Sequence, residues 1–102
     1  MANLLRHVVL LGFKAETTPE KIREIEVGFC DLPNKIEEIH SFEWGTNVSV
    51  ENLAQGYTHC FLVTFQSEDG RDTYLPHPAH QAFIKVVEPH LKQVLVVDYW
   101  AE

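Results

Sequence analysis

The stretch YTHCFLVTFQSEDGRDTYLPHPAH (residues 57–80) decides the fold, because it passes from the pattern of a strand to that of a helix. Residues 57–66 are rich in β-branched and aromatic side chains, which favours a strand. Ser67 then precedes two acidic residues, a typical helix start, so we predict a helix over residues 67–75. Pro78 fits the first turn of another helix, which we expect to run to about residue 88 and to be limited by Pro89.

The rest of the chain extends this pattern in both directions. We predict strands over residues 6–14, 40–48 and 94–100. A helix begins at Thr18 and Pro19, where Thr18 serves as the cap and Pro19 takes the first helical position. Its apolar residues recur at helical spacing, and Pro33 should bend or break it; they are Ile22, Ile25, Phe29, Leu32, Ile36 and Ile39.

The order β-α-β-β-α-β over residues 1–102, without an internal linker, predicts one domain of the α+β class. It is the ferredoxin-like arrangement, a four-stranded antiparallel sheet covered by helices. Within this sheet we expect the first and third strands to be central, adjacent and parallel. The fourth strand should lie antiparallel beside the first.

The composition of the chain limits the classes of binding partner and the cellular compartment that we expect. The chain has 102 residues and a formal net charge of −7, with no basic run, so nucleic acid and anionic membranes are poor partners. No apolar stretch reaches the roughly 20 residues of a membrane span, and the first residues lack the apolar core of a signal peptide. Cys30 and Cys60 are too few for a disulfide framework. We expect a cytoplasmic protein.

Both faces of the predicted sheet are largely apolar. The helices can cover one face, and we assign them to the face with His7, His59 and Asp98. An antiparallel sheet with a solvated face should alternate apolar and polar residues, and this one does not. We therefore predict a homodimer that pairs the other faces sheet to sheet, through Val8, Leu10, Cys60, Leu62, Leu95 and Val97.

Five residues are candidates for a functional site. With parallel strands, His7 and His59 would start at the same end of the helix-covered face, and Asp98 would return to that end. A carboxylate beside His7 would fix its tautomer. Tyr74 and His80 lie on the helical segment above, so all five are predicted to line one cavity. Each histidine taken alone is more often a structural core residue, and that alternative stays open.

Other chemistry has little support in the sequence. Three histidines and one aspartate could in principle hold zinc, but no metal-binding spacing is present. There is also no glycine-rich phosphate loop, serine nucleophile elbow or dinucleotide fingerprint. We therefore predict no metal and no cofactor.

Six segments resemble the stress-responsive A/B barrel (Dabb) family of the dimeric α+β barrel superfamily. They are RHVVL (6–10), SFEWG (41–45), GYTH (56–59), TF (64–65), YLPHPAH (74–80) and VVDY (96–99). The resemblance runs from about residue 5 to residue 100 and implies a ferredoxin-like protomer that dimerises through its sheets.

The resemblance also implies roles for individual residues. In a plant branch that cyclises linear polyketides without a cofactor, a histidine and the preceding tyrosine form an acid/base pair, which correspond to His80 and Tyr74. Two pocket histidines correspond to His7 and His59. The flanking pocket positions are Ile25, Phe29, Phe42 and Phe61.

Two functions follow from these observations. The first is a homodimeric family member whose His/Tyr-lined pocket, with Phe29 and Phe61 in its wall, binds a small organic molecule. The alternative is a cofactor-free, polyketide-cyclase-like enzyme in which His80 removes a proton next to a carbonyl and Tyr74 stabilises the oxyanion. Oxidation of the haem or quinol monooxygenase type follows only from the shared superfamily and ranks last. Whether the protein is an enzyme is left open by the sequence.

Overall fold

The computed structural model describes residues 3–102. Their elements, in chain order, are β1 (Leu5–Phe13), α1 (Pro19–Cys30), α2 (Leu32–Lys35), β2 (Ser41–Thr46), β3 (His59–Phe65), α3 (Glu68–Tyr74), α4 (Pro78–Val87) and β4 (Leu91–Trp100), with a 3₁₀ turn at Glu88–His90. The predicted β-α-β-β-α-β order and the ferredoxin-like fold class are confirmed. The last strand begins three residues earlier than the predicted residue 94.

Side-chain caps start the helices where the sequence predicts them. The hydroxyl of Thr18 accepts a hydrogen bond from the backbone N–H of Lys21 at the start of α1 (3.1 Å). The hydroxyl of Ser67 caps α3 in the same way, and Nδ1 of His77 caps α4. Such caps satisfy N–H groups that have no partner inside the helix. No helix within residues 3–102 has the length and apolar character that a membrane crossing requires.

Pro33 separates two helices, as predicted. The first helix ends at Cys30, and Pro33 lies in the first turn of α2. Proline lacks the backbone N–H that a continuous helix needs, whereas the first turn does not use that group. The chain therefore starts a new, short helix there.

The strand order is β2-β3-β1-β4, and all neighbouring strands are antiparallel. The prediction that β1 and β3 run parallel is wrong. The crossover through α1 makes β1 and β2 parallel, and the connection from β2 to β3 then reverses the chain. As a result β3 runs opposite to β1, although it lies beside it. In this register His7 is opposite Val63, and His59 is opposite Leu11.

The two sheet faces are assigned as predicted. The inner face packs against α1 and α4 and supplies much of the buried core, with Phe61, Val63 and Phe65 fully buried. The outer face carries no element of the described chain. Its β4 residues Leu95 and Val97 are 44% and 50% exposed.

Candidate functional site

A cavity of about 540 Å³ lies between the sheet and the helices. It opens where the helices leave the inner face of the edge strand β4 partly uncovered, so that Val94 and Val96 are about half exposed. Most of its wall is apolar, from β1, α1, the turn between α3 and α4, α4 and β4; these residues are Val9, Leu11, Phe29, Leu75, Phe83, Ile84, Val87, Leu91, Val94 and Val96. His7, Tyr74, His80 and Asp98 also line it, and short contacts join them into one cluster.

His7 and Asp98 form the most tightly joined pair at the cavity. They are opposite each other in the register of β1 and β4, and Nδ1 of His7 lies 2.7 Å from Oδ1 of Asp98. A carboxylate only accepts hydrogen bonds, so Nδ1 of His7 carries a proton and donates the hydrogen bond to Asp98. Nε2 of the neutral imidazole is then an acceptor. The predicted position of Asp98 beside His7 is confirmed by this contact.

Tyr74 and His80 form the second pair. Their ring centroids lie 4.3 Å apart, and the Tyr74 ring also meets His7 edge to face at 5.8 Å. Nδ1–H of His80 donates to the carbonyl of Leu75 (2.8 Å), which leaves Nε2 of His80 as an acceptor. Burial lowers the pKa of His80 from its usual value, although the bond to Leu75 opposes this change.

The phenol of Tyr74 is fully buried, yet its oxygen has no hydrogen-bond partner. No other buried side-chain nitrogen or oxygen within residues 3–102 lacks a partner. Burial raises the pKa of Tyr74 far above its usual value, so the group remains a neutral donor at physiological pH. An unpaired buried hydroxyl costs free energy, and a bound molecule with an acceptor atom would remove that cost.

His59 does not belong to this cluster. Because β3 is antiparallel to β1, His59 lies opposite Leu11, towards the other end of the strand from His7. Nε2–H of His59 donates to Oε2 of Glu26 (2.8 Å), and Nδ1 accepts from the hydroxyl of Thr58 (2.8 Å). Both ring nitrogens are thus satisfied within the fold, and His59 does not line the cavity. The predicted convergence of His7 and His59 is wrong.

The predicted flanking positions of the pocket separate in the same way, and Ile25 and Phe42 do not line the cavity. Phe29 lines the cavity. Phe61 is fully buried behind it, with the two rings stacked at a centroid distance of 4.1 Å. Phe61 therefore supports the wall but does not face the cavity.

Two charged residues near the histidines were not found from the sequence. Glu26 pairs with His59, and Arg71 contacts the second oxygen of Asp98 through Nη1 (3.2 Å). Helical spacing gave some signal, since Arg71 precedes Tyr74 by three residues and Glu26 follows Ile22 by four, each on a shared helix face. That signal is common to many surface charges, so only the tertiary contacts single these residues out.

No group of three or more His, Cys, Asp or Glu side chains converges on a metal-binding geometry within residues 3–102. Asp98 and His7 are joined to each other, and Tyr74 is a poor metal ligand while it holds its proton. The absence of a metal or cofactor in the working protein stays a prediction.

A sequence profile of the stress-responsive A/B barrel domain matches residues 5–101. The chain belongs to this family. This match confirms the family resemblance that six short segments of the sequence indicated. The match spans all four strands and the residues of both pairs at the cavity.

Two curated plant proteins are similar along almost the whole chain. The stress-response A/B barrel domain-containing protein HS1 of Arabidopsis thaliana is 46% identical over 95 residues, which cover 93% of this chain and 87% of HS1. The olivetolic acid cyclase of Cannabis sativa is 34% identical over 95 residues, covering 93% of this chain and 94% of the cyclase.

Solved structures share the fold. The hydroxynitrile lyase of Passiflora edulis superposes with a TM-score of 0.93 at 26% identity, covering 100% of this chain and 96% of the lyase. A dimeric ferredoxin-like protein of unknown function from Jannaschia sp. superposes with a TM-score of 0.81 at 27% identity, covering 94% of this chain and 97% of that protein. The proteins similar to this chain thus include two that are named for different reactions and one that is named only for the domain.

Proposed function

We propose that this family member is a homodimer that binds a small, largely apolar organic molecule in the cavity between its sheet and helices. The observation that carries the proposal is the hydroxyl of Tyr74, a residue that lines the cavity, because this hydroxyl is buried without a partner. Native proteins pair nearly all such groups, and a bound molecule is one way to pair this one.

The size and lining of the cavity support the proposal. Small-molecule sites have volumes of about 300–1,000 Å³, mostly apolar walls and a few polar groups that orient the ligand. Here the volume is about 540 Å³. Around the Tyr74–His80 pair, the polar groups offer one donor, the Tyr74 phenol, and two acceptors, Nε2 of His7 and Nε2 of His80, while Glu88, Lys92 and Gln93 also line the cavity. A ligand with one oxygen and an apolar body matches this set.

The outer face of the sheet supports the homodimer. It leaves a contiguous apolar surface without cover in the protomer, and such surfaces mark interaction sites. The same face is apolar on every copy, so two copies can pair around a two-fold axis. Likeness to the dimeric Jannaschia protein favours a second copy as the occupant. The face comprises the predicted residues Val8, Leu10, Cys60, Leu62, Leu95 and Val97.

Calorimetric titration with 1-naphthol tests the binding proposal, because this probe has an apolar body and one hydroxyl. We expect one site per protomer in the wild type. Val96→Trp, which fills the cavity from the half-exposed edge strand, should abolish binding. Val27→Trp on the outer surface of α1 is the matched control and should bind like the wild type. Equal binding by all three proteins, or no binding to the wild type, would contradict the proposal.

A second candidate function is cofactor-free acid/base chemistry on a carbonyl compound. The contact between Tyr74 and His80 favours it, since a neutral phenol can stabilise an oxyanion while Nε2 of His80 takes a proton. The relative named as a cyclase is one instance of a reaction in the family. It ranks second, because HS1, with the higher identity, is named for its domain alone.

Deuterium exchange at the carbon next to a carbonyl separates the two candidates. The acid/base reading predicts that the protein accelerates exchange into 4-phenylbutan-2-one, followed by NMR in D₂O. His80→Gln should then slow the reaction by about 10²–10⁴-fold. A wild-type protein that binds 1-naphthol but does not accelerate exchange would leave binding as the function.

The cytoplasmic location predicted from the sequence remains part of the proposal. Fluorescence microscopy of a carboxyl-terminal fusion checks it, and a signal confined to the secretory pathway would contradict it.

A further inference from the structure

Asp98 divides its two carboxylate oxygens between a buried histidine and a surface arginine. Oδ1 accepts from Nδ1–H of His7 (2.7 Å), and Oδ2 accepts from Nη1 of Arg71 (3.2 Å). Arg71 lies on α3, whereas Asp98 lies on the edge strand β4, so this ion pair joins the helix to the strand. Arg71 also contacts Asp72 (3.1 Å) and Glu68 (3.7 Å) on its own helix.

Asp98 needs this second anchor to hold His7 in one state. Its side chain is 26% exposed on an edge strand, so solvent competes with His7 for the carboxylate. The His7 side chain is only 7% exposed, so water is a poor substitute for Asp98 as its partner. Arg71, with its side chain 22% exposed, fixes the remaining oxygen, and a guanidinium holds a carboxylate through directed hydrogen bonds.

The second buried histidine, His59, does not depend on an arginine to fix its tautomer. His59 is also joined through a carboxylate to an arginine, since Oε1 of Glu26 accepts from Arg23 (3.3 Å). However, the Thr58 hydroxyl bonds its other ring nitrogen, so two partners fix its tautomer without the arginine. His7 has one such partner, Asp98, among the described residues. Its state therefore depends on how firmly Asp98 is held.

We infer that Arg71 is a positioning residue for the cavity: by holding Asp98 it fixes His7 as the Nδ1–H tautomer and thereby presents Nε2 as an acceptor. The inference rests on the proposed function for its consequence, since the acceptor selects ligands that carry a hydroxyl. The tautomer itself is independent of any ligand. Arg71 touches neither reacting atoms nor ligand in this account and acts through Asp98.

The ligand preference follows from one donor and one acceptor that lie next to each other at the cavity. The Tyr74 phenol donates, and Nε2 of His7, in the ring 5.8 Å away, accepts. A hydroxyl group serves both, because it accepts from Tyr74 and donates to His7. A methyl ether serves only Tyr74. If His7 changed to the other tautomer, the hydroxyl would meet a second donor there. Nε2 of His80 would be its remaining acceptor, and its advantage over the ether would fall.

Long-range ¹H–¹⁵N NMR of ¹⁵N-histidine-labelled protein at pH 8 reads the tautomer directly. The wild type should show His7 with Nδ1 protonated and Nε2 unprotonated. Arg71→Gln should move both nitrogen shifts towards the average of the two tautomers, and Arg71→Lys should restore most of the wild-type pattern. Arg23→Gln is the matched control and should leave His7 unchanged.

Ligand binding gives the second readout. The ratio of the affinities for 1-naphthol and 1-methoxynaphthalene should fall about two- to tenfold in Arg71→Gln, which is the value of one hydrogen bond. His7 unchanged in Arg71→Gln would overturn the inference. A wild-type protein in which Nε2 of His7 is protonated would also overturn the inference. This observation does not depend on whether a variant folds. Failure of both probes to bind the wild type, with the predicted tautomer in place, would overturn the proposed function and the ligand preference but not the role of Arg71 in fixing His7.

Discussion

The ring of Tyr74 lies against the ring of His80, with centroids 4.3 Å apart, although α3 ends at one and α4 begins just before the other. Hydrogen bonds hold the short turn between the helices, because the N–H of His77 donates to the carbonyl of Tyr74 (3.1 Å) and Nδ1–H of His80 donates to that of Leu75 (2.8 Å). Burial affects the two groups in opposite directions, raising the pKa of Tyr74 and lowering that of His80. Both are consequently neutral at physiological pH, one as a donor and the other as an acceptor.

Replacing the phenol separates stability from binding. We expect Tyr74→Phe to keep the free energy of unfolding unchanged or to raise it by up to about 1–3 kcal/mol, because an unpaired buried hydroxyl disappears. The same change should weaken 1-methoxynaphthalene binding about two- to tenfold. Urea unfolding and calorimetry measure the two effects, and Tyr57→Phe, outside the cavity, is the control. Marked destabilisation by Tyr74→Phe would show that the hydroxyl has a partner.

His80 should make the protein less stable in mild acid. Its pKa is lowered in the folded state, so between that value and about 6.5 the unfolded chain binds more protons. Stability from the neutral imidazole is therefore present above about pH 6.5 and is lost as the pH falls. Melting temperatures of the wild type and His80→Gln, compared from pH 8 to pH 5, should show a gap that moves against the wild type on acidification. His40→Gln, at an exposed site, is the control variant, and a constant gap for His80→Gln would contradict the shift.

His59 should matter for stability and not for the cavity. His59→Ala removes both hydrogen bonds of the ring and leaves Oε2 of Glu26 without its partner, so we expect a loss of about 1–3 kcal/mol in the free energy of unfolding. Affinity for 1-naphthol should change less than twofold, and His40→Ala is the exposed control. A stable His59→Ala protein that no longer binds 1-naphthol would show that His59 belongs to the binding site.

The outer sheet face should control assembly. Val97 is half exposed in the protomer, so Val97→Asp is compatible with its fold but would bury a charge in a sheet-to-sheet dimer. Light scattering after size-exclusion chromatography should report a monomer for Val97→Asp and a dimer for the wild type. Val27→Asp, at a similarly exposed site on α1, should remain a dimer. An unchanged Val97→Asp dimer would mean that copies pair elsewhere.

Local patterns predicted the elements and their faces well. Thr18, Ser67 and His77 cap helices because short-range hydrogen bonds determine where a helix starts. Alternation likewise placed His7 and Phe61 on the covered face, since successive side chains of a strand point to opposite sides.

The same alternation could not tell which end of the sheet a residue occupies. Reversing a strand leaves each side chain on the same face but exchanges its ends, and the wrong direction for β3 therefore misplaced His59. Arg71 and Glu26 were missed for another reason. Long charged side chains on helices have many possible partners, and only the folded arrangement brings them to Asp98 and His59.

In the proposed function, the cavity beside Tyr74 receives a small organic molecule. Intermolecular nuclear Overhauser effects between 1-naphthol and the labelled protein test it most directly. We expect contacts from the naphthol ring to the methyl groups of Val96 and to the ring of Tyr74, and we expect these contacts to disappear in Val96→Trp. Contacts confined to the outer-face residues Leu62 and Val97, or none at all, would contradict it.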